Sequence, residues 1–231
     1  MGVLRVATYN VHGCVGTDGK EDRDRIGNVI EELQADVIGL QELNCRTRCE
    51  DGMDQLDHLA LRTGLQGVPG PTVREGLGYF GNGLLTRLPV ERVEYTDVSV
   101  PGREPRGVIH ARVLMKSQAI EVAVTHFGLR ASERRRQVND LLRSLPPSPS
   151  TPLVVLGDFN EWHPRAESLS RLDQAFGKSP RLRTFPSFFP VFALDRVWAT
   201  PPASIEHVAP HRSPQSRVAS DHLPVVADIR V

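Results

Sequence analysis

The sequence predicts an α/β protein, α+β in organisation, in which two packed, mixed β-sheets carry helices on their outer faces. Three observations lead there. A strand, a helix and a second strand follow one another within about forty residues of the start. Strands dominate the middle third, and helical patterns occur singly between strands rather than alternating regularly with them. At 231 residues, with 39% hydrophobic and 24% charged side chains, the chain has the make-up of a folded protein with a sizeable core. One domain spanning residues 1–231 is expected.

The run Val3-Leu4-Arg5-Val6-Ala7-Thr8-Tyr9-Asn10-Val11 is rich in β-branched and aromatic residues and reads as a buried strand ending at Gly13. After a loop with Gly16, Asp18 and Gly19, the residues Ile26, Val29, Ile30 and Leu33 recur with the spacing of one helix face. Residues 36–42 then form an apolar strand that finishes in the carboxylate of Glu42. A crossover of this length sets its two strands roughly parallel, so Asn10 and Glu42 should share one edge. Further strands are expected at 77–86, 90–98, 107–115 and 119–127, punctuated by Pro89, Pro101-Gly102 and Pro105. A helix over 132–145 carries Val138, Leu141, Leu142 and Leu145 on one stripe. Pro146-Pro147-Ser148-Pro149-Ser150 cannot continue it, because proline has no amide donor and clashes with the preceding turn. That segment reads as a surface connection, since Leu153 to Leu156 at once resumes a buried strand. A last strand runs over 224–231.

Composition narrows the class. No apolar run approaches the roughly 20 residues that span a bilayer, and Met1 to Asn10 reads as a strand rather than a signal peptide, so a cytoplasmic monomer is expected. Lys plus Arg equal Asp plus Glu at 28 each, which leaves no overall positive field to gather nucleic acid. Cys14, Cys45 and Cys49 are too few for a disulfide framework or a four-thiolate zinc site. Free thiols are expected, with a bridge from Cys14 to Cys45 or Cys49 as the alternative.

The chemistry lies at strand ends. Asn10, Glu42, His126, Asp158-Phe159-Asn160, Asp195 and Asp221-His222 each follow or adjoin an apolar run. Strand alternation sends Asp158 and Asn160 to one side and Phe159 to the other. Asp221 and His222 precede Pro224 in a turn, where neighbouring side chains can diverge. A set dominated by carboxylate and amide oxygens suits Mg²⁺, or Mn²⁺ in its place, rather than zinc. Glu42 is the first choice of ligand, with Asn10 and Asp221 beside it. Any one of these segments is equally an ordinary turn or cap; their order and context carry the reading.

Thr8-Tyr9-Asn10, Gln41-Glu42, Thr125-His126, Gly157-Asp158-Phe159-Asn160, Leu194-Asp195-Arg196 and Ser220-Asp221-His222 resemble, in order, the motif series of the endonuclease/exonuclease/phosphatase superfamily, the DNase I-like phosphoesterases. The resemblance implies a four-layered α/β sandwich and Mg²⁺-dependent hydrolysis of a phosphate ester. It implies that Glu42 is the principal metal ligand, supported by Asn10 and Asp221. His222 resembles the general base or the group that binds the attacked phosphate, with Asp195 as its orienting carboxylate. Asp158 is similar to a residue that positions or deprotonates water, so the base is shared between it and His222. Asn160 and His126 resemble donors to the non-bridging oxygens, and Asn82 and Arg106 fall where related enzymes contact phosphate. A turn asparagine and a surface arginine explain the last two equally well.

The substrate lies in the loops. The leading reading is a phosphodiesterase, with a phosphomonoesterase or a non-catalytic nucleic-acid-binding module as alternatives, and the partner is a nucleic acid or a lipid head group. Lipid-acting members of the superfamily are usually longer, and no long apolar hairpin is visible. Residues 184–192, with Phe185, Phe188, Phe189 and Phe192, either pack beneath a proline-stiffened loop, as aromatics mostly do, or form an apolar lip at the cleft. Arg130, Arg134, Arg135 and Arg136 are expected to form a solvated face. The phrase Thr-Phe-Pro-Ser followed by Leu-Asp-Arg resembles small bacterial members without an assigned substrate.

Overall fold

The computed structural model describes residues 2–46, 52–145, 151–200 and 203–231. In chain order these form β1 (Val3–Asn10), α1 (Arg23–Leu33), β2 (Val37–Asn44), α2 (Gln55–Thr63), β3 (Gln66–Glu75), β4 (Gly78–Thr86), β5 (Val90–Asp97), β6 (Gly107–Met115) and β7 (Gln118–His126). There follow α3 (Ala131–Ser144), β8 (Leu153–Asp158), α4 (Glu167–Phe176), β9 (Asp195–Thr200), β10 (Ser204–Pro210), α5 (Ser216–Ala219) and β11 (Val225–Arg230). A six-stranded sheet has the order β10-β11-β1-β2-β4-β3, and a five-stranded sheet the order β5-β6-β7-β8-β9.

Both sheets are mixed for one reason. The helical crossover through α1 makes β1 and β2 parallel, and the crossover through α3 does the same for β7 and β8. The other pairings are antiparallel. The fold class predicted from the sequence, and the layered sandwich implied by the resemblance, are what the chain adopts.

Alternation along the strands sorts the apolar residues into three layers of packing. Leu4 and Val6 of β1, Val122 and Val124 of β7, Val154 and Leu156 of β8 and Val197 of β9 meet between the sheets. The opposite face of the first sheet, with Ala7, Tyr9, Ile38 and Leu40, packs on Ile26, Ile30 and Leu33 of α1 and Leu59 of α2. The opposite face of the second sheet, with Ala123 and Val155, packs on Val138 and Leu141 of α3 and Leu172 of α4. The helix stripe expected on 132–145 is therefore a true core face. Cys14 and Cys45 are free, buried thiols, so no bridge joins them; Cys49 and the connection Pro146 to Ser150 lie outside the described residues.

The sheets approach closely at Gly39 of β2. A Cβ there would lie 2.2 Å from a methyl of Leu156 and 2.8 Å from one of Val124. Gly39→Ala should accordingly cost about 1–3 kcal/mol through overpacking. Urea unfolding followed by circular dichroism checks this, as a lower midpoint with an unchanged slope.

Candidate active site

The same alternation that fills the space between the sheets also places the polar site at its end. On β1 the inter-sheet row Leu4, Val6 continues through buried Thr8 to Asn10. On β7 the row Val122, Val124 ends in His126, on β8 the row Val154, Leu156 ends in Asp158, and on β9 Asp195 stands one step before Val197. His126, Asp158 and Asp195 are also register partners across β7, β8 and β9. All four polar side chains are buried.

Two residues reach the site by leaving the strand pattern. Glu42 has φ 60°, at a register shift between Leu40 and Leu43 against β4, and this bulge carries its carboxylate to the site. Asn160 has φ 49°, two residues beyond the last alternating position that β8 supplies. Strand alternation was expected to send Asp158 and Asn160 the same way. They do converge, but through a left-handed turn past the strand end, closed by the Asn160 N–H donating to Asp158 Oδ1 at 2.8 Å. Phe159 faces away into the helix layer, edge-on to Phe127 at 4.9 Å and Trp198 at 4.7 Å between ring centres.

Asn10 ties the two sheets together. Its Nδ2 donates to Glu42 Oε1 at 2.9 Å and to Asp158 Oδ2 at 3.1 Å, while its Oδ1 accepts the His12 N–H at 3.0 Å. Asn10 thus presents N–H groups, not an oxygen, to the carboxylates. Asn160 Nδ2 donates to the Phe127 carbonyl at 2.9 Å and sits 3.0 Å from His126 Nε2. The carbonyl fixes the amide's orientation, so His126 Nε2 is the acceptor. Burial, then the nearby Arg106 and His222 charges, pull the His126 pKa well below its ordinary value and keep this imidazole neutral.

His222 sits between two carboxylates. Its Nδ1 is 2.9 Å from Asp195 Oδ2, and its Nε2 faces Asp158 Oδ2 at 3.7 Å. Asp195 Oδ2 also accepts from the Thr184 hydroxyl, and the Phe185 ring lies 4.9 Å from the imidazole. Burial by itself disfavours the imidazolium, but the charges of Asp195 and Asp158 outweigh it and raise the His222 pKa to about 10. Burial likewise raises Asp158, with Asp195 adding to the effect, while the His222 charge and the bonds from Asn160 and Asn10 oppose it; the result is about 6.

A cavity of about 570 Å³ opens onto this group, and Glu42, Arg106, His126, Asp158, Asn160, Asp221 and His222 line it. Arg106, expected as a surface residue or a phosphate contact, is buried; its two terminal nitrogens each bind a Glu104 oxygen at 3.0 Å, and one lies 3.5 Å from His126 Nδ1. Asn82 lines a neighbouring cavity instead, and donates its amide to the Gly107 carbonyl at 3.1 Å. The aromatic-core expectation for residues 184–192 does not hold. Phe185 and Phe192 line the cavity, and Phe188 and Phe189 are exposed. The solvated-face expectation holds for Arg130, Arg135 and Arg136 but not for Arg134, which is buried in a two-pronged pair with Glu161 at 2.9 and 3.1 Å and stacks on Trp162. Sequence reasoning passed over Thr184, Glu104 and Trp162, whose roles come from contacts made across the fold. Only Thr184 had a local signal, its place in the Thr-Phe-Pro-Ser phrase.

Residues 7–222 match the model of the endonuclease/exonuclease/phosphatase family. The chain belongs to that family. It is 37% identical over 164 residues to the uncharacterized protein YbhP of Escherichia coli strain K12, an alignment covering 67% of this chain and 64% of YbhP. The chain thus spans less than two thirds of that curated relative. Among solved structures, an endonuclease/exonuclease/phosphatase from Bacteroides vulgatus superposes with a TM-score of 0.80 at 18% identity, covering 100% of both chains. The mannosyl-6-phosphatase Bt3783 of Bacteroides thetaiotaomicron does so with a TM-score of 0.78 at 16% identity, covering 99% of this chain and 100% of that one. The endonuclease/exonuclease/phosphatase family consists of phosphoesterase hydrolases. No helix among the described residues is long and apolar enough to cross a membrane.

Members of this family typically depend on a divalent metal, and two sets of side chains here have ligand chemistry to consider. The ligating atoms of Asp158, Asp195 and His222 lie within 4.8 Å of one another. Asp195 Oδ2 already accepts from both Thr184 and His222, however, and all three residues are buried. Glu42 and Asp221 fit a hard cation better. Both carboxylates line the cavity and are partly exposed there, and Glu42 accepts only the Asn10 amide among the described residues.

The raised His222 pKa has a stability consequence with a definite sign. A folded pKa above the unfolded value contributes stability that is fully present below about 6.5 and is lost as pH rises through the folded value. His222→Gln should therefore cost about 3–5 kcal/mol near neutral pH, where it strands two buried carboxylates. The deficit should shrink as pH climbs toward about 10. Chemical unfolding of both proteins in EDTA across that range measures it.

Proposed function

We propose that the protein is a Mg²⁺-dependent phosphodiesterase that directs a water molecule onto phosphorus. The observation that carries this is the Asp195–His222–Asp158 chain, set in a cavity that also presents Glu42 and Asp221. A cation held by Glu42 and Asp221 would neutralise charge on the phosphate oxygens. Asp158, with a pKa of about 6, is ionised at neutral pH and takes the proton from the attacking water as the new P–O bond forms and the ester bond breaks. His222, protonated at that pH, is the donor to a non-bridging oxygen rather than the base, and Asp195 holds its ring. Asn10 positions Glu42 and Asp158. Arg106, with His126 and Asn160 behind it, forms the anion-facing wall, and Asn82 supports it from β4 of the other sheet through Gly107.

The charge balance of the cavity favours a diester. Glu42, Glu104, Asp158 and Asp221 line it against Arg106 and His222, the His126 ring there being neutral, and Arg106 already spends its terminal nitrogens on Glu104. A monoanionic diester fits that balance better than a dianionic monoester. The likeness to a mannosyl-6-phosphatase keeps the monoesterase reading as the second one.

With Mg²⁺, bis(4-nitrophenyl) phosphate should be hydrolysed faster than 4-nitrophenyl phosphate. EDTA should abolish turnover, and Mg²⁺ or Mn²⁺ should restore it. No diester hydrolysis by folded, Mg²⁺-supplemented protein would contradict the proposal. His222→Ala and Asp158→Asn should each lower kcat by about 10²–10⁴-fold. The pH profile of kcat/KM should rise through about 6 as Asp158 ionises and fall near 10 as His222 loses its proton. A profile whose alkaline limb lies near 7 would make His222 the base instead.

A further inference from the structure

Residues 185–192 form a closed turn with two different ends. Phe185 and Phe192 pair across its base, their backbones joined by bonds of 2.9 and 3.2 Å, and both rings line the cavity. The Phe189 N–H donates to the Pro186 carbonyl at 3.1 Å, which closes the tip. At that tip Phe188 is 63% and Phe189 70% exposed, and Val191 beside them is exposed as well. Exposed aromatics here are not a sign of a loose loop. Ser187, fully buried, donates its N–H to the Asp221 carbonyl at 2.7 Å and its hydroxyl to the carbonyls of Ser220 and Arg217 at 2.7 and 3.0 Å. The turn is bolted to the segment that carries His222, so its apolar tip is held out toward solvent at no further ordering cost.

Along the sequence on either side of the tip the charge is one-sided, although the whole chain is neutral. No Asp or Glu occurs between Asp173 and Asp195, a stretch with exposed Lys178, Arg181 and Arg183. None occurs between Glu206 and Asp221 either, where Arg212 and Arg217 are exposed. The bond from Ser187 to Arg217 brings the two stretches together. An apolar aromatic tip flanked in sequence by exposed arginines complements a surface that is apolar beneath an anionic layer. A single strand of nucleic acid fits less well. Stacking sites for bases are platforms along a basic groove, whereas Phe188 and Phe189 crown a turn.

We propose that the 185–192 turn docks the protein on an anionic lipid bilayer, with Phe188 and Phe189 inserted at the interface and Arg183 and Arg217 against the head groups. Docked this way, the membrane lies beside the cavity mouth, where exposed Phe192, Leu129 and Trp162 continue the apolar rim. The substrate class that follows, a phosphodiester in a lipid head group, rests on the phosphodiesterase reading above; the docking itself does not.

Co-sedimentation with phosphatidylcholine vesicles, with and without phosphatidylglycerol, tests this in EDTA so that no turnover is involved. The intact protein should sediment with the anionic vesicles and more weakly with the neutral ones. Phe188→Ser combined with Phe189→Ser should weaken binding about tenfold or more. Arg183→Ala combined with Arg217→Ala should remove only the preference for anionic lipid, and thermal unfolding verifies that each variant is folded. Absence of vesicle binding by the intact protein, or binding that is unchanged in the double phenylalanine variant, would overturn the proposal. So would phenylalanine-dependent binding of a single-stranded oligonucleotide in place of vesicles. Failure here leaves turnover of a soluble diester untouched, and failure of that turnover leaves the vesicle result standing.

Discussion

Asp195 and Asp158, two carboxylates buried between packed sheets, depend on the charge that His222 places between them. A buried carboxylate is costly to keep as an anion, and two of them near each other are costlier. The Nδ1 bond to Asp195, the approach of Nε2 to Asp158 and the Thr184 hydroxyl together make the arrangement sustainable. Asp195 Oδ1 has no hydrogen-bond partner among the described residues, so this carboxylate is held through Oδ2 alone. The contact also joins the sheets, because Asp158 and Asp195 belong to the second sheet while His222 precedes β11 of the first. Asn10 makes the reciprocal link, from β1 of the first sheet to Asp158 of the second.

The site is the polar continuation of the core. Rows of valine and leucine between the sheets run without interruption into Thr8, Asn10, His126, Asp158 and Asp195. That continuity fixes the spacing of the polar groups with the stiffness of close-packed strands. Segments beyond the strands supply Arg106, Asn160, Asp221, His222 and the rim. Gly39 faces Leu156 and Val124, the last apolar residues of the rows before they turn polar, and so must be small.

Much of this was legible in the sequence because it follows from local rules. The apolar runs gave β1, β2, β7 and β8, the helix stripes gave α1 and α3, and residues at the ends of those runs proved to be neighbours. β3 escaped because Pro69 and Pro71 argue against a strand, and it is tolerated only because β3 is an edge that pairs with β4 alone. Glu42 and Asn160 were singled out as residues, but their left-handed backbones, which bring them to the site, have no signature in residues that are not glycine. Arg134 looked like part of a surface run because its partner Glu161 is distant in sequence. The phenylalanines of 184–192 were expected in the core by residue type. The anchoring of Ser187 to the 217–221 segment decides otherwise, and such a contact is visible only in three dimensions.

The division of labour between Asp158 and His222 depends on His222 being an imidazolium in the resting protein. Heteronuclear NMR of the ring nitrogens and their attached protons, in uniformly ¹⁵N-labelled metal-free protein, reports this directly. Both nitrogens of His222 should show the shifts of a protonated ring at neutral pH and through mildly alkaline pH, changing only near 10. A ring that titrates near the ordinary value of about 6.5 and is a single neutral tautomer at mildly alkaline pH would contradict it.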